Sequence, residues 1–287
     1  MLDVRRLRLL RDLSQHGTIA AVAAAHRYTP SAISQQLAAL EREAGVPLLA
    51  RTGRRVTLTP AGVVLATHAE EVLAALERAG AAVVATRTGL SGPLRIGAFP
   101  TAMRTLLLPA LVALAAAHPA LELAVQELDP AAVPALLRDD ALDVALVHDY
   151  DLVPIEPDPA LRTAPLLEET IFIAAAGPRS LPECRDEPWI LASRGTLCHT
   201  MTVRACEAAG FTPRVRHHAD DFVTVLTFVA AGQGVALVPE LAATDVPAGV
   251  VLTPLPTRRR TRLAFRAGSA AHPAVVAFAH ALGATLP

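Results

Sequence analysis

Lysine is missing from this 287-residue chain; arginine supplies all 26 basic residues. With so much alanine beside it, that bias is most simply the compositional mark of a GC-rich genome. Cysteine is scarce too. Cys184, Cys198 and Cys206 are too few for the framework of a disulfide-stapled secreted domain, and fit a reducing compartment. Aromatic residues reach only 3%. No run of about 18 uncharged apolar residues occurs, the minimum read as a membrane-spanning helix. The N-terminus opens with Asp3, Arg5, Arg6, Arg8 and Arg11 rather than the apolar core of a secretory signal. A cytoplasmic protein without a membrane partner is expected. Chemistry is sparse in the same way. His217 and His218 lack zinc-site spacing. Ser31 and Ser34 have no local His/Asp set, and no glycine-rich phosphate loop appears. The expectation is a protein that is not an enzyme, with no metal and no cofactor.

What is present is apolar bulk and an uneven charge. Hydrophobic residues make up 52% and charged residues 18%, over a length sufficient for two or three domains. The net charge is −1, yet residues 1–60 hold nine arginines against Asp3, Asp12, Glu41 and Glu43, a balance of +5. A basic first fifth on an acidic body points to a polyanion partner for that end alone.

Within that end, Thr29–Leu40 (TPSAISQQLAAL) is built as a short helix. Thr29 is an N-cap residue, and Pro30 occupies the first helical position, where a missing N–H costs nothing. Ala32, Ile33, Leu37 and Leu40 recur at helical spacing on one face. Ser31, Ser34, Gln35 and Gln36 fill the other with short neutral donors and acceptors suited to base edges and phosphate oxygens. Alone, such a stretch equally describes an amphipathic surface helix. Its neighbours decide between the two. Val4, Leu7, Leu10 and Leu13 mark a first helix closed by Gly17, and Thr18 caps a second, alanine-rich one over Ile19–Ala25. A tight turn at His26–Tyr28 leads into Thr29. This is a helix-turn-helix in which the third segment is the reader. Gly45 ends it. Arg51, Arg54 and Arg55 then surround Gly53, the expected tip of a hairpin, forming a basic wing that binds backbone phosphate. Thr59–Pro60 opens a long helix to about Thr88. Its rows Leu65, Val72, Ala79 and Ala69, Leu76, Val83 form a seven-residue seam suited to dimerisation. Leu90–Pro93 reads as a hinge.

The stretch GTIAAVAAAHRYTPSAISQQLAALEREAGVPLLARTGRRVTLTPAG resembles the DNA-binding signature of LysR-type transcriptional regulators, with helix, turn, reader helix, wing and linker helix in family order over about 60 residues. Two positions depart from it. His26 stands where the family usually has leucine, and Leu49 where phenylalanine is usual. The resemblance implies a homodimer on an interrupted palindrome of double-stranded DNA, and further pairing into a tetramer that bends it. The DNA contacts expected are Thr29, Pro30, Ser31, Ser34, Gln35, Gln36, Arg51, Arg54 and Arg55.

Beyond the hinge, short strands alternate with helices: strands at Leu94–Ala98, Leu121–Gln126 and Asp143–Val147, helices from Phe99 to near His118 and at Ala131–Asp139. This pattern argues for α/β structure with a largely parallel sheet. A proline-rich run, Pro154–Pro165, suggests a crossing to a second lobe, with strands at Glu169–Ala175, Trp189–Ala192, Arg214–His218 and Val235–Val238 and helices at His199–Ala209 and Asp221–Ala231. Arg262–Arg266 and a terminal helix, Pro273–Leu286, return to the first lobe. Two such lobes resemble the family's effector domain, itself similar to periplasmic binding proteins, and AAGQGVALVP (Ala230–Pro239) follows that domain's signature. The domains expected are a winged helix-turn-helix over 1–58, a linker helix over 59–88, a hinge over 89–93 and a two-lobed effector domain over 94–287. Lobe I is expected over about 94–160 and 262–287, and lobe II over about 161–261.

A cleft between the lobes binds at strand C-termini and helix N-termini. Thr101 begins the first helix after the first strand, where free N–H groups suit a carboxylate. The residues expected to face a small-molecule effector are Thr101, Ala102, Met103, His148, Tyr150, His199, Thr200 and Phe222. Cys206 falls where the family's peroxide sensors carry a redox cysteine and Cys198 lies one place from the other. A thiol-based regulator is therefore one alternative. A two-lobed small-molecule-binding protein without a DNA role is another.

Overall fold

The computed structural model describes residues 1–52, 55–86, 89–154, 157–284 and 286. They fall into two compact units, Met1–Arg87 with Arg266–His272, and Thr88–Phe265 with Pro273–Pro287.

The first unit opens with α1 (Val4–His16), α2 (Ile19–His26) and α3 (Pro30–Ala44), each started by a side-chain cap. The Asp3 carboxylate accepts from the backbone N–H of Arg5 and Arg6, Thr18 from Ala21 and Thr29 from Ala32, satisfying donors that the first helical turn leaves open. Gly17 and Gly45 close α1 and α3 in the left-handed region, at φ 71° and 72°. Arg27 closes α2 at φ 55°, a conformation uncommon for a residue with a side chain. Leu10, Leu13, Val22, Ile33, Leu37 and Leu40 form one buried core with Leu48, Ala66 and Ala69.

Strands β1 (Leu49–Thr52) and β2 (Arg55–Leu58) then pair antiparallel as the wing, from Leu49 opposite Leu58 to Thr52 opposite Arg55. The expected tip, Gly53, and Arg54 lie outside the described residues. The Glu41 carboxylate near the end of α3 accepts from the backbone N–H of Leu48 and Leu49 and so ties the wing to the reader helix.

Helix α4 (Pro60–Ala85) starts on the Thr59 cap; the expected end at Thr88 falls outside the described residues. Its buried face is Gly62, Ala66, Ala69 and Leu73, packed on the unit's own core. A Cβ on Gly62 would meet the Leu48 carbonyl oxygen at 2.2 Å, so only glycine allows this approach. The seam expected from the sequence is corrected here. Ala69 is fully buried against α1 and the core, while Val72, Leu76, Ala79 and Val83 form the exposed apolar row.

The second unit is built on a six-stranded sheet in the order β4-β3-β5-β10-β6-β9, beside a two-stranded β7-β8 sheet. The strands are β3 (Gly92–Ala98), β4 (Leu121–Glu127), β5 (Val144–Tyr150), β6 (Leu161–Ala175), β7 (Pro188–Leu191), β8 (Arg214–His218), β9 (Ala236–Pro239) and β10 (Val251–Arg266). β3 runs parallel to β4 and β5, whereas β10 is antiparallel to β5 and β9 antiparallel to β6. The sheet is therefore mixed, not largely parallel. The cause is two long central strands, β6 and β10, whose apolar pattern is legible only at the ends Glu169–Ala175 and Arg262–Arg266. Pro165, Pro254, Pro256 and the charges around Arg258–Arg260 interrupt their apolar alternation. β3 begins at Gly92, inside the expected hinge.

Helix α5 (Pro100–Ala117) has the length and composition to cross a membrane, but it carries Arg104 and a π-helical segment over Met103–Leu107. It buries Ala102, Leu107, Ala110 and Leu114 and packs against the last helix. The remaining helices are α6 (Val133–Arg138), α7 (Leu197–Ala208), α8 (Phe222–Ala230) and α9 (Pro273–Leu282). Thr196 caps α7 and Asp221 caps α8. One core gathers Val133, Leu137, Leu142, Ala145 and Val147, another Ile171, Ile173, Trp189, Met201 and Cys206.

Candidate functional site

Two arrangements stand out, one in each unit. In the first, α3 buries Ile33, Leu37 and Leu40 and turns Ser31, Gln35 and Gln36 outward. The Thr29 hydroxyl caps Ala32 and lies 3.0 Å from the Ser31 hydroxyl. Ser34 donates to the Pro30 carbonyl at 2.9 Å, and the Gln36 side-chain oxygen accepts from Arg6 Nε at 2.9 Å. Gln35 is thus a long outward side chain on this face with no such engagement among the described residues. Arg51 and Arg55 fall in β1 and β2, and Arg54 lies outside the described residues.

The turn before α3 is held from beneath. His26 Nε2 lies 2.5 Å from Asp12 Oδ2, and its ring stacks on Tyr28 with centroids 6.5 Å apart. Asp12 is buried and also contacts Arg11 Nε at 2.5 Å; Arg11 and Gln15 in turn reach Glu70 on α4. A polar network therefore replaces the packing that leucine at position 26 would supply.

In the second unit, the C-terminal ends of β3 and β5, the start of α5 and the middle of β6 and β10 converge on Arg259. This guanidinium is 1% exposed. Its Nε donates to Glu169 Oε1 at 2.7 Å, its Nη2 to Thr101 Oγ1 at 3.2 Å, and its Cζ sits 5.0 Å from the centre of the Phe99 ring. The other Glu169 oxygen accepts from the Leu241 backbone N–H. Across the ladder, Arg259 faces Tyr150 and Thr261 faces His148. His148 meets Phe99 and Tyr150 edge-on, at 4.6 and 5.1 Å, and the Tyr150 hydroxyl lies 3.1 Å from Cys198 Sγ.

Burial sets the electrostatics. It holds the His148 imidazole well below its ordinary pKa, and the Arg259 charge adds to the effect. Burial also pushes the Tyr150 hydroxyl well up. The Cys198 thiol rises by burial, opposed by the Tyr150 hydrogen bond and the Arg259 charge. The cluster thus holds one permanent cation, one carboxylate and a set of neutral groups. His148 Nδ1 and Thr261 Oγ1 have no hydrogen-bond partner among the described residues although both are buried. Unpaired buried polar atoms are costly, and they mark where a polar guest gains most.

Of the residues expected to face the cleft, Thr101, His148 and Tyr150 come together here. The last two lie within β5, which runs past the Val147 end read from the sequence. Ala102 is buried and Met103 half-buried beside them on α5. The other three make their contacts elsewhere. His199 Nδ1 is 2.9 Å from the Ala192 carbonyl, Thr200 donates to the Thr196 carbonyl, and Phe222 packs on a core with Ile190 and Val225. Arg259, Glu169 and Phe99 were missed. One signal was available: counting back by twos from Leu263 and Phe265 puts Thr261, Arg259 and Thr257 on the inward face.

Residues 4–63 match the family model described as a bacterial regulatory helix-turn-helix protein of the lysR family, and residues 87–287 match the LysR substrate binding domain. A probable hydrogen peroxide-inducible genes activator of Mycobacterium avium is 31% identical over 82% of this chain and 77% of its own length. The nitrogen assimilation regulatory protein nac of Escherichia coli is 30% identical over 84% of this chain and 80% of its own. Among solved structures, a cysteine-to-serine variant of Corynebacterium glutamicum OxyR with hydrogen peroxide bound superposes with a TM-score of 0.56 at 27% identity, covering 98% of this chain and 92% of that one.

Proposed function

Because this chain belongs to the LysR family of transcriptional regulators, we propose that it sets the α3 helices of two copies into successive major grooves of an interrupted palindrome. In this reading it pairs through α4 and further into a DNA-bending tetramer, acts in the cytoplasm, and catalyses nothing. The observation that carries the reading is the outward face of α3, where Ser31 and Gln35 stand beside a capped N-terminus with the wing tied on through Glu41. Arg51, Arg54 and Arg55 add phosphate contacts, so affinity falls with salt by a slope of about −0.9 per phosphate neutralised. Fluorescence anisotropy on the DNA flanking its own gene tests this. Ser34→Asp places charge against phosphate and is expected to weaken binding at least about tenfold; an unchanged titration rules out this docking of α3.

The effector in this reading binds beside Arg259. Glu169 already balances the Arg259 charge at 2.7 Å, which favours a small, uncharged, hydrogen-bonding guest over the carboxylate expected from Thr101 alone. Thermal shift with paired neutral and carboxylate compounds separates them. A ligand shifts DNA binding only by its differential affinity for the two arrangements.

One observation favours a thiol reading as well: Cys198 Sγ lies inside this cluster, against Tyr150. Cys198 and Cys206 share the intact helix α7, where eight residues rise about 12 Å while a disulfide needs Cα atoms within about 6.8 Å. A bridge between them therefore requires α7 to unwind, and burial holds the Cys206 thiol up at about 12. Sulfenic acid at Cys198 by mass spectrometry after mild peroxide supports this second reading, and its absence removes it.

A further inference from the structure

On the opposite face of the β5–β10–β6 sheet, a hollow of about 250 Å³ opens over Pro165, Leu166, Leu167, Glu168, Arg260, Thr261 and Arg262. Alternation along β10 puts Arg260 and Arg262 on the other side from Arg259. All of these residues lie in the second unit, and all but Thr261, which pairs with His148 across the ladder, lie outside the Arg259 cluster.

Its charges are arranged, not scattered. Arg260 Nε donates to one oxygen of the buried Asp149 at 2.8 Å and Arg262 Nε to the other at 3.0 Å, so one carboxylate orients two guanidiniums. Arg260 is further occupied by Asp151 at 2.5 Å. The remaining N–H groups of Arg262 carry no hydrogen bond among the described residues. Glu168, exposed on β6, makes no ion pair among them either. β6 and β10 are neighbours in the sheet, and alternation puts Glu168 and Arg260 on the face opposite to the Glu169–Arg259 pair. One rim thus offers an oriented, open guanidinium edge, the other a carboxylate with no ion pair among the described residues, and Leu166, on the same side of β6 as Glu168, supplies apolar surface. Arg258, Arg260 and Arg262 are balanced by Asp149, Asp151 and Glu168. A guest with a single charge would leave one rim unanswered, whereas a zwitterion answers both.

We propose that this hollow is a second small-molecule site, for a zwitterion of amino-acid size with an apolar side chain. The guest's carboxylate meets Arg262 as a fork-to-fork contact, its ammonium group meets Glu168, and its side chain lies on Leu166. The site bridges the two long central strands and does not use the Arg259 guanidinium.

Isothermal titration of the full chain with L-leucine, 4-methylpentanoate and 3-methylbutylamine tests it. Saturable L-leucine binding is expected, with each singly charged analogue at least about tenfold weaker. Glu168→Gln is expected to lower L-leucine affinity by a similar factor and leave 4-methylpentanoate unaffected. Arg262→Gln is expected to weaken both, with Asp149 still held by Arg260. Thr101→Val, in the other site, should change none of these values. No saturable heat with L-leucine up to about 20 mM, equal affinity for all three compounds, or loss of binding in Thr101→Val would overturn the proposal.

Discussion

Glu169 and Arg259 sit 90 residues apart in the chain and 2.7 Å apart in space, both almost fully buried. Removing one member of such a pair strands the other charge in a low-dielectric interior, typically at about 3–5 kcal/mol. Glu169→Gln is therefore expected to lower unfolding free energy in urea by that amount, and a loss under about 1 kcal/mol would show that water reaches the cluster. His148 gives a pH signature at the same place. Its folded-state pKa lies well below the ordinary 6.5, first by burial and then by the Arg259 charge. Below pH 6.5 the unfolded chain takes up a proton that the folded chain refuses. This contribution to stability is thus complete above 6.5 and declines as pH falls below it, at up to about 1.4 kcal/mol per unit. Comparing urea unfolding at pH 7.5 and 5.5, wild type should lose about 1.4 kcal/mol more than His148→Gln. Identical losses would place the imidazole in contact with water.

Among elements, the capped helices were the most legible. Thr18, Thr29 and Thr59 each bond the N–H groups their positions implied, because a cap is a contact between near neighbours in sequence. The long strands were the least legible. β6 and β10 place arginine, threonine and proline where a core strand ordinarily has valine, since both strands pass through polar clusters on each face. Helix α4 lies between these cases. Its periodicity revealed an apolar surplus but not which row faces inward, and burial of Ala69 settles that. The row left outside, Val72, Leu76, Ala79 and Val83, is the face expected to meet a second copy. If the chain pairs through α4 as proposed, replacing Leu76 and Val83 together by aspartate should leave the full-length chain a monomer in light scattering at micromolar concentration, where the unaltered chain is a dimer. A dimer that persists would move the interface off this face.

For the whole molecule, the order of segments was written in local signals: a basic, capped, three-helix start, a hairpin of arginines, a long helix, then alternating strands and helices. Such features depend on contacts within a few residues and on the period of apolar positions, so the chain alone determined them, and with them its membership among LysR regulators. The chemistry of the interior was decided otherwise. That His26 rests on Asp12, that Arg259 is joined to Glu169 and Thr101, and that Arg260 and Arg262 share Asp149 are outcomes of strand and helix placement. Each joins charged or polar groups from separate elements, and a charge in sequence carries no mark of whether water or another side chain will neutralise it. Only the folded chain, by removing the water, makes that choice.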